Sequence, residues 1–326
     1  MARRVISQNV AVFVGGTQIT RAQTANYSFS LNKEPVQIMG QLAPIDQIAL
    51  EPPTATMDFS WLAVDSTNEA ALGLDSGMSR ILNGSEAEKA YAITVSPNGT
   101  EASEASGVVG VGMAYISNYS AEGSLGAFPT ASVTVEGSTM ASSATGNTIS
   151  IAGVDENCAS KQQTAGGTPA ALGEGETSVI VPGNIEATIS GNTGIVSGSF
   201  CLTSYEISVD MTREPLQCLG CFWPSSRDLQ FPIPVTVNIE ASLGDVGDVN
   251  LETVFCEELI DISITLYETD CEAPNLRGAP TVTYSIVGAT LNSQSANVSI
   301  GPNATVTAGY TAFIGGPGDT KGFFIS

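Results

Sequence analysis

The sequence predicts an all-β fold made of two tandem, homologous β-sandwich domains, each with one short flanking helix. Three observations predict it. Charged residues make up 13% of the chain where about 25% is usual, and Gly, Ser, Thr, Ala and Asn fill the difference, a composition suited to sheet rather than to helix surfaces. Apolar residues alternate with small polar ones wherever a period is readable, as at Tyr27, Phe29 and Leu31, which marks strands with one buried face. And the chain repeats itself. "EPVQIMG" at 34–40 returns as "EPLQCLG" at 214–220, and the ungapped match of 34–56 with 214–236 keeps seven of 23 positions identical. A second block, 116–126, returns at an offset of 175 as 291–301. Two blocks in one order, in a repeat of domain length, indicate duplication of a whole domain. A length of 326 residues accommodates two domains of about 150, each able to bury its own core.

Taken in order, the first opening strand falls at 9–14 and the next at Tyr27, Phe29 and Leu31. Between a strand ending near Met39 and one starting near Thr54 lies a segment with Gly40, Pro44, Pro52 and Pro53, answered by Gly220, Pro224, Pro232 and Pro234. Proline fixes φ and lacks an amide donor, so this reads as a stiff extended loop, present twice. A short helix is expected at 67–74, and its counterpart at 250–259 with Asn250 as cap. The stretch 138–176 is rich in Ser, Thr, Gly and Ala and reads as linker or surface insertion. The expected domains are therefore 1–140 and 178–326, joined by 141–177. The second domain opens with a strand within 179–190 and continues through the alternations at Ile207, Val209 and Met211, at Val235, Val237 and Ile239, and at Ile262, Ile264 and Leu266.

With 33 acidic and 11 basic residues the formal charge is −22, which argues against gripping nucleic acid through its phosphates. A wall that repels phosphate still lets a polyanion slide past. The start of the chain fails as a signal peptide because Ser7, Gln8 and Asn9 interrupt its apolar stretch, and no stretch reads as a membrane span, so cytosolic synthesis is expected. There is no histidine, which removes Ser-His-Asp, Cys-His and HExxH chemistry. Carboxylate pairs such as Glu257 with Glu258, or Asp245 with Asp248, could serve a glycosidase or hold calcium; in so acidic a chain a solvated surface is the plainer reading.

Cys218 and Cys221, with Cys256 and Cys271 further on, could bind zinc, but the second pair is too widely spaced for a zinc knuckle. Ile38 and Gln41 stand at the places of Cys218 and Cys221 in the first half, so the fold does not require the thiols. A cytosolic chain favours reduced thiols over a disulfide, and either over zinc. Lys33 with Glu34 and Arg213 with Glu214 are repeated charge pairs before a proline. They read either as intersubunit salt bridges or as locally held strand ends. Trp61 and Trp223 do not align and read as packing residues.

These residues carry a resemblance. Tyr27 and Tyr205 each begin a Y-x-[FI]-S-[LV] strand, followed by [KR]-E-P-x-Q-x-x-G and the proline-punctuated loop, and 116–137 reads "ISNYSAEGSLGAFPTASVTVEG". Together they resemble the tube protein of long-tailed bacteriophages over most of both halves. The resemblance implies a β-sandwich subunit with a flanking helix, whose inner strands join those of neighbours into a barrel and whose rings stack into a tail tube. With the fold present twice, three chains complete a pseudo-six-fold ring. Implied partners are the chain itself, other tail proteins, and DNA as a passing cargo, with no cofactor, no catalysis and no membrane insertion. The implied location is the virion tail, assembled in the host cytoplasm. The residues expected at inter-subunit loops and strand junctions are Lys33, Glu34, Pro35, Gly40, Pro44 and Pro52, with Arg213, Glu214, Pro215, Gly220, Pro224 and Pro232. Alternatives are a capsid-decorating, neck or surface-layer sandwich, and a carboxylate hydrolase of cell-wall glycans.

Overall fold

The structure is a computed structural model that describes residues 10–75, 78–82, 87–95, 107–169, 179–190, 195, 198–245, 259–272, 276–298, 303–316 and 320–326. The first half runs β1 (Val10–Val14), β2 (Thr17–Gln18), β3 (Ala22–Ser30), β4 (Lys33–Val36), β5 (Asp46–Ala49), β6 (Thr54–Leu62), helices α1 (Thr67–Leu72) and α2 (Ser79–Leu82), β7 (Lys89–Val95), β8 (Gly107–Ser124), β9 (Thr130–Gly137) and β10 (Thr139–Ser143). A hairpin follows, β11 (Thr148–Val154) and β12 (Ser160–Gly166). The second half runs β13 (Ile185–Ile189), β14 (Gly198–Ser199), β15 (Leu202–Asp210), β16 (Arg213–Leu216), β17 (Ser226–Leu229), β18 (Ile233–Ser242), β19 (Ile260–Thr269), β20 (Arg277–Asn297), β21 (Thr305–Ile314) and β22 (Gly322–Ile325). The class is all-β.

The strands build one long sheet, β3-β6-β9-β8-β15-β18-β21-β20, with every neighbouring pair antiparallel. Two smaller sheets stand against it. One contains β1, β2, β7, β10 and the start of β8; the other contains β13, β14, β19, β22 and the start of β20. The long strands β8 and β20 each pass from a small sheet into the large one, which makes a sandwich out of each half.

The pairing pattern occurs twice. Thr24 faces Ser60 after a register shift at Ala22, as Ser204 faces Glu240 after a shift at Leu202. Asn118 faces Thr134 after a shift at Ile116, as Ser293 faces Gly309 after a shift at Leu291. Pleated alternation explains the layers: on β6, Ala55, Met57, Phe59 and Trp61 point into the core while Thr56, Asp58 and Ser60 point away.

The core departs from the expectation of one per half. A single apolar cluster runs from Val12 to Ile325, because β15 pairs directly with β8 and the two halves share one buried face. Tyr119 on β8 reaches Phe323 on β22 with ring centroids 5.9 Å apart. The stretch expected as linker or insertion folds as a strand, whose place on β8 matches that of β22 on β20, and a hairpin. Its β10 pairs with β8, and β11 and β12 cover the outer side of the first small sheet, where Ile151 and Ala165 pack on Phe13, Ala92 and Val108. Gly110 and Gly112 make room for it, since a Cβ at either would stand 2.8 Å from Ile151. Helix α1 begins at the expected residue and stops at Gly73, in the left-handed conformation at φ 86°. The helix expected at 250–259 lies outside the described residues but for Leu259.

Candidate functional site: a polar eight-strand face and its two open edges

On the side of the large sheet away from the core, residues directly opposite one another form rungs across strands. One rung crosses all eight strands with hydroxyls only: Thr24, Ser60, Ser132, Ser120, Ser208, Thr236, Thr311 and Thr290. Its neighbours are Asn26, Asp58, Thr134, Asn118 and Asp210 on one side and Thr130, Glu122, Glu206, Asn238, Gly309 and Ser293 on the other. Side chains bond along the rungs, as Ser120 with Ser132 at 2.8 Å, Ser28 with Thr56 at 2.7 Å, and Asn26 Nδ2 donating to Asp58 at 2.8 Å.

The charges that the sheet's own strands place on this face are all negative. Asp58, Glu122, Glu136, Glu206, Asp210 and Glu240 occupy outward positions, and where these strands form the large sheet none of their outward positions holds Lys or Arg; the one cation paired to these carboxylates among the described residues, Arg227 on Glu136, comes from an arm. Glu122 and Glu206 stand directly opposite each other, an unfavourable like-charge pair. Each is turned by a neighbour: Thr130 Oγ1 donates to Glu122 at 3.2 Å and Asn238 Nδ2 donates to Glu206 at 3.3 Å.

The proline-punctuated segments are not plain loops. Each folds back as a two-stranded arm, β4 with β5 and β16 with β17, in matching register: Glu34 opposite Ile48, Glu214 opposite Asp228. Pro35 and Pro215 sit in the first strand of each arm. Gly40 and Gly220 take φ of 91° and 99° at the tips, which a side chain would resist. Pro44 and Pro224 follow on the return, and Pro52 and Pro232 lead into β6 and β18. The second arm is fastened to the first half. Arg213 Nε donates to the Ile116 carbonyl at 3.1 Å, and its guanidinium lies 5.1 Å from the Tyr115 ring centroid. Burial pulls the Arg213 pKa down to about 10, so it stays charged at neutral pH. Arg227 pairs with Glu136 at 3.0 Å. Arg213 is thus engaged within its own chain, and Glu214 accepts from Gln230 at 3.3 Å. Lys33 and Glu34 are exposed.

Cys221 is disulfide-bonded to Cys158 in the turn between β11 and β12. This corrects the expectation of a reduced thiol. The arm and the inserted hairpin are brought side by side only by the tertiary fold, and Cys158, which sequence reasoning passed over, has no neighbouring cysteine to signal it. Cys218 and Cys271 are free and exposed, as is Cys201, and Cys256 lies outside the described residues. So do Glu257, Glu258 and Asp248; Asp245 accepts a bond from the Cys201 amide at 3.0 Å. Trp61 is fully buried in the core, and Trp223 meets Phe222 edge to face.

Below the polar face, at the junction of the halves, α1 buries Glu69. Tyr119 Oη donates to it at 3.3 Å, and burial raises its pKa to about 7.

Among the described residues the large sheet ends in two edges that pair with no further strand, β3 and the last residues of β20. At the internal junction Ile207, Val209 and Met211 on and after β15 are 0% exposed; at the open edge their counterparts Tyr27, Phe29 and Leu31 are 47%, 63% and 40% exposed. An apolar row beside unpaired backbone groups is a template for strand addition.

No family model matches the sequence, and no curated protein matches it. Among solved structures, the chain is similar to one in the cryo-EM structure of the anti-feeding prophage baseplate, with 12% identity and a TM-score of 0.32 over 44% of this chain and 97% of that one. It is similar to a chain in the tail of an empty GTA particle, with 16% identity and a TM-score of 0.30 over 44% of this chain and 100% of that one. For Hcp1 from Flavobacterium johnsoniae the values are 16% and 0.25, over 40% and 95%.

Proposed function

We propose that this chain is a virion structural protein, the major subunit of a phage-type tail tube. In this reading residues 1–140 and 178–326 are two copies of one tube domain with 141–177 inserted between them. Three chains close head to tail into a pseudo-six-fold ring, and rings stack around a channel through which DNA is ejected. The observation that carries the reading is the eight-strand sheet, whose own strands bring polar and acidic but no basic side chains to one face and whose two edges pair with no further strand among the described residues. Open ends that match each other close into a ring when the rotation fits. Three such sheets give about 24 strands, and at a spacing of ~4.8 Å these make a backbone circle about 37 Å across before strand tilt widens it. Short hydroxyl side chains leave that bore open, and its carboxylates keep phosphate from sticking.

The arm tips supply the axial contact. Met39, Leu42 and Leu219 are fully exposed, and large apolar side chains so placed are covered in assemblies. Other tail proteins would cap the ends of the tube, in the virion. Negative-stain electron microscopy of the purified protein tests the reading: hollow rings or rods are expected, with no retardation of DNA in a gel at physiological salt. A persistent monomer at high concentration overturns it.

A further inference from the structure

We propose that the open end of the sheet takes a second copy of this chain in one defined register. Strand β3 of one copy pairs antiparallel with residues 293–297 of the next, with Tyr27 opposite Ala296, Ser28 opposite Ser295 and Phe29 opposite Gln294. The inference rests on the tube reading for the association of copies, while the register comes from inside the chain.

The template is the junction of β15 with β8, where Ile207 faces Ala121, Ser208 faces Ser120 and Val209 faces Tyr119. The pairings of β3 with β6 repeat those of β15 with β18 at an offset of 180, and those of β8 with β9 return in β20 with β21 at an offset of 175. Carrying both offsets across the junction leaves a single register for the open edges. The residues it brings together fit. Ser208 and Ser120 become Ser28 and Ser295, which carries the hydroxyl pairing into the next chain. The opposed carboxylates Glu206 and Glu122 become Asn26 and Asn297, an amide pair without the repulsion. At the internal junction the bulk lies on one strand: Tyr205 covers Gly123, where a Cβ would meet its ring at 2.6 Å. At the open edge the bulk moves to the other strand, with Ala25 set against Val298, which is 69% exposed.

The arm follows the strand. On the internal template Arg213 donates to the Ile116 carbonyl, which sets Lys33 at the Leu291 carbonyl of the neighbouring copy. The exposed Phe313 stands where Ser138 lies beneath Arg227 at the internal junction. There Gln47, the counterpart of Arg227, would lie over an aromatic ring in place of a hydroxyl.

The test uses full-length chains in which Cys201, Cys218, Cys256 and Cys271 are replaced by Ser. Ser28→Cys and Ser295→Cys chains are mixed, oxidised with diamide and run on a non-reducing gel, beside each variant alone and beside Thr24→Cys mixed with Ser295→Cys, whose sites the register holds about 13 Å apart. A covalent dimer at least about ten-fold more abundant in the matched mixture than in any control is expected, because a disulfide needs a Cα separation near 5.5 Å. Rings that form without that preference, or that link Ser28→Cys to itself, overturn the register and leave the tube reading standing. Absence of rings overturns both. Phe29→Asp, at a site exposed in the single chain, should keep the melting temperature and weaken association by about 100-fold or more; unchanged association overturns the pairing.

Discussion

The two arms, β4 with β5 and β16 with β17, have the same register and the same tip glycine, and they differ in what lies beneath them. The second rests on its own chain and is held by a disulfide, a buried guanidinium and the Arg227–Glu136 ion pair. The first presents Lys33, Gln47 and Gln41 at the corresponding places and exposes Ile38, Met39, Leu42, Ile45 and Ile48. One chain thus carries the same arm twice, once anchored and once bare. Contacts inside a chain can afford directional polar anchors because their partners are always present, whereas the first arm has uncharged Gln47 and Gln41 where the second has Arg227 and Cys221.

Breaking the anchored arm gives the largest expected effect. Cys158→Ser should lower the unfolding free energy by about 2–4 kcal/mol, read from the urea midpoint, with no change on adding reductant. Glu69→Gln sharpens the contrast between junctions, since Tyr119 binds the carboxyl at the closed one while Gln294 stands at the open one. The folded pKa of Glu69 is raised from 4.5 to about 7, so stability drains away as pH rises from about 4.5 to 7. The glutamine variant should match the parent at pH 4 and exceed it at pH 8 by at most about 3 kcal/mol, measured by urea denaturation across pH. Arg213→Ala should cost about 1.5–3 kcal/mol through its lost charged hydrogen bonds, while Lys33→Ala should change the single chain by under about 0.5 kcal/mol; equal effects would erase the distinction between the arms. Small too, and opposite in sign, is Glu122→Gln, which relieves the opposed pair with Glu206 and should stabilise by about 0.2–1 kcal/mol, visible as a small rise in melting temperature.

The sequence made the strands legible where a small polar residue separates two apolar ones, as in β6, β15, β18 and β19, because alternation reports a face. Alternation does not report a neighbour. The pairing of β8 with β15, and the shared core that follows from it, rest on which edge meets which. The arms were read as loops because "KEPV" and "DQIA" are wet on both sides and have no apolar period to betray a strand. In the insertion, "TISIAGV" alternates, but the surrounding Ser, Thr and Gly masked it. The Cys158–Cys221 link joins residues 63 apart, a distance in sequence that no local pattern spans. The candidate site residues were chosen through the repeat, since turn glycines and prolines persist where strand residues drift. The polar face became visible only once the registers lined up hydroxyls from eight strands.

The inserted hairpin β11–β12 sits over the outer sheet of the first half, and the second half has no counterpart among the described residues. Wherever the two halves alternate in an array, every second unit therefore wears an extra ridge on its exterior. That ridge is a fiducial mark: image averaging that treats the halves as identical will smear it to half strength, and averaging by whole chains will bring it back.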